Sequence, residues 1–92
     1  MELKLKKPFD LDGEQVDKIE YDLESLTGED IERAITELGK KGILVTMVET
    51  DQRYHAMLFA IAAGIAYEDV KRLPLKDYQK ATTAVRDFFL EE

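Results

Sequence analysis

The segment that most constrains the fold is the run from Ala56 to Ala66, which contains no polar side chain. It follows a helix start signal at Thr50 and Asp51, and we expect one helix from there to about Gly64. A helix that is apolar on all sides must be buried by its own protein or must meet a partner. The run is too short to cross a bilayer, which takes about 20 apolar residues. The sequence therefore predicts a core helix or a partner-binding helix.

Two stripes of side chains follow this helix at helical spacing. The bulky stripe consists of Tyr54, Leu58, Ile61 and Ile65, and the small stripe consists of Ala56, Ala60 and Gly64. Small residues every fourth position let another helix approach closely. Alanine is also the best helix former, so the sequence leaves both interpretations of the small stripe open.

The hairpin section, residues 1–26, predicts two β-strands. Residues 2–6 alternate apolar and charged side chains, as in a half-buried strand, and we expect Pro8 to end it because proline lacks an amide hydrogen. Asp12-Gly13 supplies the turn, since both residues tolerate positive φ. A second alternating run over residues 18–23 completes the predicted β-hairpin.

The helical section, residues 27–92, begins with a helix that Thr27 can cap. Its apolar stripe consists of Ile31, Ala34, Ile35 and Leu38. The apolar run 43–48 then has two interpretations, because periodicity alone does not separate them. It is either a third strand of the hairpin sheet or an ordered connection that becomes structured only in an assembly.

Two further helices are expected, a short one over residues 67–72 and a last one from about Lys76 to Leu90, separated by a break at Pro74. The predicted fold class is therefore α+β, with an N-terminal β-hairpin, which residues 43–48 could extend to three strands, followed by a small bundle of three to four helices. Ninety-two residues leave room for one domain, residues 1–92.

Composition excludes several classes of function. The net charge of −7 disfavours nucleic acid as a partner, because phosphates need clustered lysine and arginine. The absence of cysteine excludes disulfides and thiolate metal sites. The N-terminus lacks the apolar core of a secretory signal and nothing encodes a membrane anchor, so we expect a cytosolic protein that does not engage membranes.

The sequence gives no support for catalysis. His55 is the only histidine and has only Asp51 one turn away, so a capped or half-exposed structural histidine is expected. Asp10, Asp12 and Gly13 resemble the start of a calcium loop, but the glycine comes too early and the flanks are strand-like, so a hairpin turn explains them better. We therefore predict no enzyme, no catalytic residue, no metal site and no cofactor.

An apolar surplus on the last two long helices indicates a binding module instead. Methionine and aromatic faces suit apolar helices as partners, and the same surplus favours self-association. A domain of this size needs most of these side chains for its core, so we expect two or three to be accessible. The candidate partner-binding residues are Tyr54, Met57, Leu58, Phe59, Ile61, Phe88 and Phe89.

Several segments together carry a family resemblance, through their order and spacing rather than through one motif. They are Leu5-Lys-Lys-Pro8 and Asp12-Gly13, Thr27-Gly-Glu-Asp30, the alanine-rich helix Tyr54 to Gly64, Ala66-Tyr-Glu-Asp-Val70, Leu73-Pro74-Leu75-Lys-Asp77-Tyr78, and Val85-Arg-Asp-Phe88-Phe89. In this arrangement the chain resembles the tail assembly chaperones of Mu-like and related long-tailed bacteriophages and prophages, over about residues 3 to 90.

The resemblance implies a function. Such chaperones bind the phage tape measure protein, a very long helical protein, and are displaced when the tail tube protein polymerises around it. The implied partners are the tape measure protein, the tail tube protein and further copies of this chain in a homo-oligomer. The implied location is the cytoplasm of the bacterial host, with no copy in the mature virion. The acidic composition also allows an alternative, a small adaptor or inhibitor that binds a basic surface of its partner.

Overall fold

The computed structural model describes residues 1–90. Its elements are β1 (Glu2–Leu11), β2 (Glu14–Glu20), α1 (Gly28–Lys40), α2 (Gln52–Ala63), α3 (Tyr67–Lys71) and α4 (Leu75–Leu90). The strands pair antiparallel and form a two-stranded sheet. A hairpin followed by four helices confirms the predicted α+β fold class.

The hairpin turn lies where the sequence predicts it. Asp12 and Gly13 both adopt positive φ, at 54° and 83°. The Asp10 carboxylate accepts a hydrogen bond from the Gly13 amide at 2.9 Å, so this acidic segment serves the turn. The second strand begins at Glu14 and ends at Glu20, so the predicted range 18–23 is shifted towards the C-terminus.

The expectation that Pro8 ends the first strand is wrong, because β1 continues to Leu11. The register explains how proline is tolerated. Lys4 pairs with Lys18 and Phe9 pairs with Val16, so residues 5–8 lie in an irregular stretch opposite Asp17 alone. A missing amide hydrogen in such a bulge removes no regular ladder bond.

Residues 43–48 form no strand within the described chain, so the third strand is wrong and the ordered connection is what remains. Gly42, at φ 80°, turns the chain after α1, and the Ile43 amide donates to the Leu38 carbonyl at 2.9 Å. Ile43 and Val45 pack against the core, whereas Leu44 is 77% exposed. A loop that packs on the core therefore accounts for the alternation of buried and exposed residues in this segment.

Helix α2 is the centre of the bundle, and it packs against α1, α3 and α4. Every residue from Tyr54 to Ala60 is buried, as an all-apolar helix requires. The Asp51 carboxylate caps the helix by accepting from the Arg53 amide at 2.9 Å. Gly64 ends it in the left-handed conformation, at φ 71°.

The buried carboxylate of Asp77 ties the hairpin to the bundle. Both of its oxygens accept from the Lys6 amide, at 3.1 and 3.3 Å, within the irregular stretch of β1. The Lys80 ammonium reaches the Lys4 carbonyl on the same strand. Helix α4 thus occupies this part of the outer edge of β1, and Leu3 and Phe9 join the core formed by the helices.

Candidate functional site

Four of the seven candidate partner-binding residues lie in the core. Tyr54, Met57, Leu58 and Phe59 are each at most 6% exposed. The Phe59 ring lies 4.8 Å from the ring of Tyr21, which follows the hairpin. These side chains stabilise the fold, so in this conformation they have little surface to offer to another chain.

The other three candidates reach the surface to different degrees. Ile61 and Phe88 are half-buried against the core, whereas Phe89 is 42% exposed. The rings of Phe88 and Phe89 are 5.4 Å apart in an edge-to-face arrangement, the preferred geometry of an aromatic pair. Phe88 therefore supports the exposed Phe89 ring from the protein side.

Phe89 belongs to a groove between α1, α2 and α4, which we call the α1–α4 groove. Its volume is about 200 Å³, and it is lined by Ile31, Val48, Glu49, Tyr54, His55, Arg86, Phe89 and Leu90. Leu90 is 65% exposed, and one turn beyond Ile31 the side chain of Ile35 is also exposed, at the margin of the α1 stripe. Apolar side chains from three segments distant in sequence thus converge on one surface.

Sequence reasoning missed Ile31, Val48 and Leu90 as parts of this surface. The sequence did mark Ile31 as apolar, since it is the first residue of the apolar stripe of α1. The stripe alone does not show which of its residues lie at the edge of the core and stay accessible. Val48 ends the apolar run 43–48, and it reaches the groove because that run is a connection and not a strand. Its position could be found only once that choice was settled.

His55 forms part of the inner wall of the groove and is 3% exposed, so the expectation of a half-exposed histidine is wrong. Burial lowers its pKa below the ordinary value of 6.5, and the nearby Arg86 acts in the same direction. Its hydrogen bond with the Val48 backbone and the charge of Asp51 oppose this shift. The ring is therefore neutral at neutral pH, which keeps this wall of the groove uncharged.

Nothing in the described part of the chain resembles a metal centre. Within residues 1–90, no three histidine or acidic side chains are placed to hold an ion together. No buried side-chain nitrogen or oxygen in that range lacks a hydrogen-bond partner.

Comparison with known proteins identifies the family. The family model described as phage tail assembly chaperone proteins, E, or 41 or 14, matches residues 2–90. The chain belongs to the phage tail assembly chaperone family. The resemblance seen in the sequence is thereby confirmed. No curated protein and no solved structure matches the chain.

This tail assembly chaperone carries no membrane-spanning candidate: between residues 1 and 90, no helix combines the length and the apolar character that a bilayer crossing requires. Its family is that of the phage tail assembly chaperones. The α1–α4 groove is the candidate surface for such a contact, because it combines an aromatic wall with exposed aliphatic side chains.

Proposed function

We propose that this tail assembly chaperone binds apolar helical segments of the phage tape measure protein through the α1–α4 groove. The observation that carries the proposal is the convergence of Ile31, Val48, Phe89 and Leu90 on one open surface. Grooves of this kind receive the apolar face of an amphipathic helix in other proteins. Membership of the family supports the chaperone role, because it connects the chain to tail assembly.

The candidate residues divide between two roles in this proposal. Phe89 and Leu90 contact the bound segment directly, with Phe88 behind the Phe89 ring. Ile61, which does not line the groove, offers half-buried apolar surface near the C-terminal end of α2. The four buried residues, Tyr54, Met57, Leu58 and Phe59, hold α2 in place, and Tyr54 also lines the groove.

The proposed role is non-enzymatic and takes place in the cytoplasm of the bacterial host. The chaperone covers apolar stretches of the tape measure protein until the tail tube protein replaces it, so it is absent from the mature virion. The net charge of −7 supports this role, since an acidic exterior keeps the complex soluble while the groove is occupied.

The proposal is tested by expressing the tape measure protein of the same phage with and without the chaperone, and measuring its soluble fraction. We expect the chaperone to raise that fraction and Phe89→Asp to remove most of the gain. In a binding assay, Phe89→Asp should raise the dissociation constant at least about tenfold, or about 1.4 kcal/mol. The reason is that an ionised carboxylate would be desolvated against apolar side chains.

Leu44→Asp is the matched control, because Leu44 is more exposed than Phe89 and does not line the groove. It should leave both the soluble fraction and the affinity unchanged. Thermal unfolding of both variants checks that the fold is intact. A tape measure protein that is equally soluble without the chaperone, or a Phe89→Asp variant that binds like the natural chain, would contradict the proposal.

A further inference from the structure

A second apolar groove lies between α2, α3 and α4, and it shares no lining residue with the α1–α4 groove. We call it the α3 groove. Its volume is about 480 Å³, and it is lined by Ile43, Arg53, Tyr67, Lys71, Leu73, Leu75 and Tyr78. Leu75 is 70% exposed at the start of α4. Together with the half-buried side chains of Ile43 and Tyr78, it forms an apolar patch that a partner can cover.

The rim of the α3 groove is basic, although the chain as a whole is acidic. The ammonium groups of Lys41 and Lys71 lie 5.8 and 5.5 Å from the centre of the Tyr67 ring. Lys41 is paired with Glu68 and Arg53 with Asp51, but Lys71 forms no ion pair within residues 1–90. The groove therefore fits an apolar group that carries negative charge.

The C-terminal end of α4 has this chemistry. Phe89 and Leu90 are both exposed there, and Asp87, one turn before Leu90, is exposed and paired with Arg86 at 3.7 Å. The last turn of α4 contains no basic residue to offset the negative end of the helix dipole. In the sequence, Leu90 is followed by Glu91 and Glu92. The described end of α4 is thus apolar, and the sequence around it, residues 86–92, contains three acidic residues and one basic residue. This segment complements the α3 groove in both respects.

The helix end cannot fill the groove of its own chain. Leu75 and Leu90 mark the two ends of α4, and a rise of 1.5 Å per residue places them about 22 Å apart. We propose that the α3 groove of one copy binds the C-terminal end of α4 of a second copy. Phe89 and Leu90 then contact Leu75 and Tyr78, and the negative helix end lies near Lys71.

The proposed contact joins two different surfaces, so a pair of copies still has one free groove on one copy and one free helix end on the other. Such head-to-tail contacts close into rings or extend into chains, rather than stopping at a symmetric dimer. The inference does not depend on tape measure binding. If both proposals hold, the two associations compete for Phe89, because it lies in the α1–α4 groove and at the end of α4.

Sedimentation velocity of the full chain over a wide range of concentration tests the inference. We expect the average mass of the natural chain to rise with concentration. Leu75→Asp and Phe89→Asp should each weaken self-association at least tenfold, about 1.4 kcal/mol. Met47→Asp is the matched control, since Met47 is 60% exposed and lines neither groove, and it should associate like the natural chain.

Mixing the two defective variants gives the sharpest result. Leu75→Asp retains an intact helix end and Phe89→Asp retains an intact groove, so the mixture should form a 1:1 dimer and stop there. That complementation also shows that both variants are folded. A natural chain that is monomeric at every concentration would overturn the inference, and so would defective variants that do not associate when mixed.

The remaining outcomes separate this inference from the proposed function. Leu75→Asp should still bind the tape measure protein, because Leu75 does not line the α1–α4 groove. If Leu75→Asp loses the tape measure protein while the natural chain alone stays monomeric, the α3 groove serves that partner and the inference is wrong. If self-association follows the pattern above but the tape measure protein is not bound, only the proposed function fails.

Discussion

At the scale of single residues, His55 makes the stability of the fold depend on pH. Burial lowers its pKa below 6.5, so the folded protein keeps the ring neutral while the unfolded chain takes up a proton. Because the unfolded state binds more protons below that value, the free energy of unfolding should fall as pH drops from about 7 to about 5. One such group changes the free energy of unfolding by at most about 1.4 kcal/mol per pH unit.

Urea denaturation at a series of pH values measures this slope, and His55→Gln should remove most of it. The comparison concerns the slope and not the absolute stability, which the substitution also changes. Asp51 does not interfere, because its pKa is held below the ordinary 3.8, chiefly by a hydrogen bond from Arg53, and its contribution is lost only in stronger acid. An unchanged slope in the variant would show that other groups cause it.

Asp77 provides a second test at this scale. Asp77→Ala removes both acceptors of the Lys6 amide and leaves that donor unpaired in a partly buried position. We expect a loss of about 1–3 kcal/mol in the free energy of unfolding. Asp87→Ala is the matched control on the same helix, since Asp87 is exposed, and it should change stability by less than about 0.5 kcal/mol. Equal losses of stability in the two variants would mean that the hydrogen bonds between Asp77 and the hairpin contribute little.

At the scale of elements, two glycines with open space around them should respond in opposite directions to alanine. Gly64 ends α2 at φ 71°, where a Cβ is strained, so Gly64→Ala should lower the free energy of unfolding by about 1 kcal/mol. Gly39 lies within α1, so Gly39→Ala should raise it by about 0.5–1 kcal/mol. Chemical denaturation measures both, and a change of the same sign in both would contradict the assignment of α2's end.

The elements also show how far sequence reasoning reaches. The turn at Asp12-Gly13, the cap at Thr27 and the end of α2 at Gly64 were predictable, because each depends on a local backbone preference. The prediction that Pro8 ends the first strand failed, because the position of Pro8 in β1 depends on a bulge and on Asp77, which is distant in sequence. The third strand predicted as one interpretation of residues 43–48 was wrong, because a loop that packs on a core can alternate buried and exposed residues as a strand does.

The candidate site was harder to predict than the fold for a related reason. Apolar content on α2 and α4 is visible in the sequence, but which side chains stay accessible depends on how the helices are arranged around α2. Phe59 and Phe89 are the same residue type, yet one is fully buried and the other is 42% exposed. Phe59 lies on the central helix α2 against the Tyr21 ring, whereas Phe89 lies in the last turn of α4.

At the scale of the whole molecule, an acidic exterior surrounds two apolar grooves. We expect binding at the two grooves to depend differently on salt concentration. Added salt screens exposed charges within about 8 Å at physiological ionic strength and less at higher salt, but it does not weaken apolar contacts. The affinity for the tape measure protein should therefore change less than about threefold between roughly 0.05 and 0.5 M sodium chloride. Self-association through the basic α3 groove should weaken over the same range.

The salt series also tests the alternative that the composition allows, an acidic adaptor or inhibitor that binds a basic surface. With a net charge of −7, such a protein would lose its partner steeply as salt is added. Titrations of the same tape measure segment at several salt concentrations, with Phe89→Asp alongside, distinguish the two. Steep loss with no effect of Phe89→Asp would favour the adaptor, because binding would then depend on charge and not on the α1–α4 groove.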